Sequence, residues 1–67
     1  MIKSRYFKPR THMDGLHSIK YWEAIGQEVF IYNKDGKSFR SFALLYDLGL
    51  ERRSDVVEIT EEEMKNL

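Results

Sequence analysis

The clearest pattern along the chain is the run Val29-Phe30-Ile31-Tyr32, four consecutive β-branched or aromatic residues, followed by Asn33-Lys34-Asp35-Gly36. The first group favours a strand and the second holds residue types that accept turn conformations. Lys37 to Phe42 then returns as the partner strand, so a hairpin centred on Asp35-Gly36 is expected. A second short strand is read at Val56-Val57-Glu58-Ile59. Thr60-Glu61-Glu62-Glu63 follows it as a capping box, in which the Thr60 hydroxyl accepts from the backbone three residues on and Glu63 reaches back. This predicts a helical turn from Glu61 to Asn66, with its acids at the positive end of the dipole and Met64 and Leu67 folded back on the sheet.

Elsewhere the pattern is divided. Ser18 to Gly26 reads either as a helical hook, capped by Ser18 and closed by Gly26, or as a short strand closed by a turn; helix or irregular turn is preferred. Ala43 to Tyr46 either prolongs the second hairpin strand or joins a helix at about 42–48. Phe42, Leu45 and Leu48 are spaced for a helix, and Gly49 followed by Leu50 suits its end. Residues 1–17 have no sustained period. Pro9 forbids a helix interior and His12 to Gly15 resembles a turn, so this stretch is read as an extended arm pinned by Tyr6 and Phe7. The remainder, 18–67, is read as one small β-rich domain. Its expected core is Trp22, Ile25, Val29, Ile31, Phe39, Leu45, Val57, Ile59 and Leu67.

Composition narrows the function classes. The chain has 67 residues, and Leu, Ile, Val and Phe make up 18 of them, above the level at which disorder is the default. So short a chain has a thin core. The absence of cysteine removes disulfides and thiolate metal sites as staples. No apolar run is long enough for a membrane span, and the N-terminus lacks a signal-peptide core, so a cytoplasmic protein without membrane association is expected. Net charge is zero, but residues 1–20 carry +4 and residues 51–67 carry −3.

Chemistry has few footholds. His12, Asp14 and His17 are metal-ligand types, but their spacing fits no helix pair and no strong third ligand is near, so no metal is assigned. None of the serines sits in a nucleophile elbow. The four glycines are isolated turn residues rather than a phosphate-cradling loop. No cofactor is expected, and the chain is read as a non-enzyme.

Binding is the better reading. Nine aromatic residues exceed what so small a core can hide, since each ring buries ~150–250 Å². Tyr, Trp and Arg are the side chains enriched at interface hot spots. The expected role is a small protein-binding module, an adaptor or inhibitor, with Tyr6, Phe7, Arg10, Tyr32 and Arg40 as contacts. The competing class is nucleic-acid binding. Lys3, Arg5, Lys8 and Arg10 interleave with Tyr6 and Phe7, the combination that neutralises phosphates and stacks bases, and Lys34, Lys37 and Arg40 extend it. Unpaired sheet edges also suggest a weak homodimer.

From Gly26 onward, Ile25 to Ile31, the Asp35-Gly36 hairpin and Val56 to Leu67 resemble the small SH3-like β-barrel proteins of bacteria and their phages. The resemblance implies a mainly β fold, either an SH3-like barrel or a partly open antiparallel sheet of three to four strands, with a short C-terminal helical turn. An α+β fold is the alternative if residues 42–48 are helical. It also implies a non-catalytic binding module of phage or prophage origin.

Overall fold

The computed structural model describes residues 3–10 and 18–67. It is mainly β: five antiparallel strands in one open sheet with two short helices. The strands are β1 (Ser4–Pro9), β2 (Ile19–Ile25), β3 (Glu28–Asn33), β4 (Ser38–Arg40) and β5 (Val56–Ile59). Helix α1 (Leu45–Leu48) lies between β4 and β5, and α2 (Glu61–Lys65) follows β5. The sheet order is β4-β3-β2-β1-β5, which leaves β4 and β5 as its two edges.

Two expectations change here. Ser4–Pro9 is extended as read, but it is an inner strand rather than an arm beside the sheet, paired with β2 on one side and β5 on the other. Pro9 is tolerated for a definable reason. The Arg10 amide donates to the Asp55 carbonyl at 2.8 Å, so Tyr6, Lys8 and Arg10 are the residues whose backbone serves β5. Pro9 therefore turns its donorless nitrogen toward β2, beyond the last paired position, Phe7 opposite Trp22. The second change is at 19–25, which is a strand and not a helical hook. Gly26 does not end a helix but opens the two-residue turn between β2 and β3, with φ 64°, a conformation that matches the twist of a hairpin.

The remaining elements follow local chemistry. The Asp35-Gly36 hairpin joins β3 to β4, with the Asn33 amide donating to the Lys37 carbonyl at 2.8 Å. Residues 45–48 take the helical alternative. Gly49 adopts the left-handed conformation, φ 68°, and its amide donates to the Leu45 carbonyl. No side chain caps α1 from its own N-cap residue. Instead, Gln27 in the β2–β3 turn receives the Leu45 amide on its carbonyl (2.8 Å) and the Tyr46 amide on its Oε1 (3.2 Å). Two donors that a helix start leaves free are thus satisfied across the fold, and Leu45 is held over the sheet. The capping box at Thr60–Glu63 is present in both directions, each bond 3.1 Å.

One face of the sheet carries the core. Phe7, Trp22, Ala24, Val29, Leu45, Leu50 and Val56 form a single cluster, flanked by Ile19, Ile31 and Leu48. Trp22, Val29, Leu45 and Ile59 are buried as expected, and Ile31 packs at the margin. Ile25, Phe39 and Leu67 are instead exposed. Val57 is half-buried, because the pairing of Pro9 with Val56 turns Val56 to the core side and Val57 to the opposite face.

Candidate functional site

Strand alternation sets what lies on the face away from the core. Tyr6 on β1 opposes Glu23 on β2, Glu23 opposes Phe30 on β3, and Phe30 opposes Arg40 on β4. One row beyond, Tyr21 opposes Tyr32, which opposes Ser38. Since residues directly opposite share a face, these side chains form a two-row patch across four strands.

The tyrosines are in mutual contact. The Tyr21 and Tyr32 rings are stacked, with centroids 4.5 Å apart and an interplanar angle of 11°. Tyr6 meets Tyr21 edge-on at 6.2 Å and 63°. The Tyr32 hydroxyl donates to Glu23 Oε1 at 2.9 Å. That hydrogen bond to a carboxylate, reinforced by burial and by the charge of Glu23, pushes the Tyr32 phenol up to about 12. Burial, with the Glu23 charge second, also raises Tyr21. Arg40 is paired with Glu28 on the same face.

The residues expected to bind are thus divided. Tyr6, Tyr32 and Arg40 are brought to one face, but Tyr6 is itself buried there, beside the buried Ile59 of β5, and supports Tyr21 rather than reaching solvent. Phe7 is not on that face: at 1 % exposure it belongs to the core. Adjacent residues on a strand point to opposite sides, so Tyr6 and Phe7 cannot both serve one surface. Arg10 sits just past β1 with its Nε donating to the Ser54 carbonyl at 2.8 Å. Tyr21, Glu23 and Phe30 belong to the patch and were not expected in it. The signal for Tyr21 and Glu23 is the alternation of Tyr21-Trp22-Glu23-Ala24, legible once that segment is known to be a strand, and the signal for Phe30 is its spacing of two from Tyr32 in β3.

Of the cations that suggested phosphate binding, Arg5, Arg10 and Arg40 are engaged within the chain. Arg5 bridges Glu58 and Glu51, each at 2.8 Å, and lies 5.3 Å from the Phe7 ring centre. Arg52 sits over the Tyr46 ring, and Arg53 binds Asp55. Among the described residues no group of three His, Cys, Asp or Glu side chains is placed to hold a metal. His12, Asp14 and His17 lie outside the described residues. No helix among the described residues is long and apolar enough to cross a membrane. Comparison with protein-family models, with curated proteins and with solved structures finds no match.

Proposed function

We propose that the chain is a non-catalytic protein-binding module, an adaptor or inhibitor, that binds through the tyrosine face with Tyr32, Tyr21, Phe30 and Arg40 as its contacts. The observation that carries this reading is the Tyr6–Tyr21–Tyr32 ladder on the side of the sheet opposite the core. Stacked rings held in place by one another and by Glu23 are already ordered, so burying them against a partner costs little side-chain entropy. Tyrosine supplies apolar area with a hydroxyl at its rim, and Arg40 supplies a planar donor beside it. The resemblance to SH3-like modules of bacterial and phage proteins supports the same class of activity.

Glu23 favours protein over nucleic acid. Its carboxylate stands among the rings on which bases would stack, and a phosphate chain over this face would meet its charge. The test is capture from the source cell's lysate with wild type and with a Tyr32→Ala/Arg40→Ala variant checked for native circular dichroism. The expected result is a protein captured by wild type only and unaffected by nuclease. Loss of capture on nuclease treatment, or oligonucleotide binding whose affinity falls ~10³-fold between 50 and 200 mM salt, establishes the nucleic-acid class instead.

A further inference from the structure

The edge strand β4 has a geometry that matches itself. The Asn33 amide donates to the Lys37 carbonyl and the Ser41 amide to the Val29 carbonyl, both at 2.8 Å. In an antiparallel ladder these bonds alternate, so Lys37, Phe39 and Ser41 direct their backbone groups at β3. Ser38 and Arg40 therefore direct theirs outward, where no further strand pairs among the described residues. Phe39, between them, is 52 % exposed although it lies on the core side of the sheet. Phe42, just beyond, is fully exposed.

We propose that β4 pairs antiparallel with β4 of a second copy about a two-fold axis through Phe39. In that register the outward groups of Ser38 meet those of Arg40 in the partner, twice over, and the two Phe39 side chains face each other at a non-hydrogen-bonded position. Charge selects this register. Shifting it so that Arg40 meets Arg40 opposes like charges, and the opposite shift matches only Ser38 with Ser38. In the proposed register Arg40 faces Ser38 and Lys37 faces Ser41, with Arg40 already balanced by Glu28. The same register sets Phe42 of one copy across from Gly36 of the other, where a side-chain position has nothing within 4 Å.

The opposite edge is less suited to pairing. Ion pairs flank both edges, Glu58 with Arg5 and Asp55 with Arg53 at β5 and Arg40 with Glu28 at β4, but β5 has no exposed large apolar side chain to match Phe39. The β4 contact is small. Two exposed rings per copy, at ~150–250 Å² each, fall short of the ~1,200 Å² of a stable interface, so the dimer is weak. A two-fold through a continuous sheet keeps both tyrosine faces on one side, which makes the dimer bivalent toward a repeated partner.

The pairing needs no partner protein, so its test is separate from the binding reading. Because the chain lacks cysteine, Phe39→Cys introduces a single thiol. Opposed Cα atoms at a non-hydrogen-bonded pair are ~4.5 Å apart, within the range a disulfide spans. The expected result is rapid oxidation of Phe39→Cys to a disulfide dimer while Ser54→Cys, beside the other edge, stays monomeric. Sedimentation equilibrium of wild type should rise from 8.0 kDa toward twice that mass with concentration, and Phe39→Lys should weaken association about tenfold or more. Ser38→Pro, which removes an outward-facing donor, should do the same. A wild type that stays at 8.0 kDa, equal oxidation of both cysteine variants, or unchanged association in Phe39→Lys and Ser38→Pro overturns the proposal.

Discussion

Tyr21 and Trp22 are consecutive in β2 and point to opposite faces of one sheet, and the two faces hold their aromatic rings by different means. On the core face Trp22 sits with Phe7, Ala24, Val29 and Val56, and the segment around α1 adds Leu45 and Leu50 as a lid. On the other face Tyr21 and Tyr32 are half-buried, stacked on each other and fixed by a hydroxyl–carboxylate bond. The first arrangement removes apolar area from water without polar partners. The second orders large side chains while leaving them accessible, which is what a binding surface requires. In β2, a fully buried ring and an accessible, ordered ring thus lie on opposite sides of one strand.

The largest effect should come from the core side. Trp22→Ala removes ~3–5 kcal/mol, which is most or all of what a domain of this size has. The variant should show no cooperative melt by circular dichroism; an unchanged midpoint would remove Trp22 from the core. Tyr21→Ala, one residue away, should cost about 1–2 kcal/mol, since it loses a stacked pair and partial burial. A cooperative melt lowered by roughly 5–15 °C is expected. If Tyr21→Ala unfolds the chain as Trp22→Ala does, the tyrosine face is a second core and the division of labour fails.

Arg5 tests the rim between core and solvent. It holds the Glu58 carboxyl below the usual carboxylate range, against a smaller opposing effect of burial. A depressed native pKa means that the unfolded chain binds the proton more tightly, so this contribution is present above the unfolded value of ~4.3 and lost as pH falls through the native one. Arg5 is partly exposed, so Arg5→Ala should cost about 1 kcal/mol or less at neutral pH. Its urea midpoint should also decline less steeply below about pH 5 than that of wild type. Parallel acid profiles would show that the pair contributes nothing.

These two faces were unevenly legible in the sequence. The β3–β4 hairpin, β5 and the Thr60 capping box depend on neighbours within a few residues, and residue type alone placed them. At 42–48 the helix spacing and Gly49 were readable, but the choice of helix over strand depended on Gln27, eighteen residues upstream of Leu45. β1 and β2 are inner strands, and their identity comes from pairing rather than propensity. Ser18 and Gly26 are cap residues for a helix and turn residues for a hairpin alike. The residues of the tyrosine face show the same limit. That Tyr32 and Arg40 share a face with Tyr21, and that Tyr6 and Phe7 do not share one, is not readable from residue type, because sidedness is fixed only by strand register.

The most specific effect should come from Tyr32. Replacing its hydroxyl in Tyr32→Phe removes one hydrogen bond to Glu23 and should cost about 1 kcal/mol at pH 7. The phenol is raised from its usual value near 10 to about 12 by that hydrogen bond first and by burial second. A raised native pKa means that the folded state holds the proton more tightly, so the contribution is complete below the unfolded value of about 10. It is lost as pH rises toward 12, because the unfolded chain ionises first. Wild type should therefore lose stability more steeply than Tyr32→Phe above about pH 10, and the two curves should converge there. The other tyrosines titrate in both proteins, so the difference isolates residue 32. Urea midpoints measured across this range decide the point: a constant offset between the two proteins would mean that Tyr32 and Glu23 are not hydrogen-bonded in solution, and the ladder would lose the contact that fixes its outer ring.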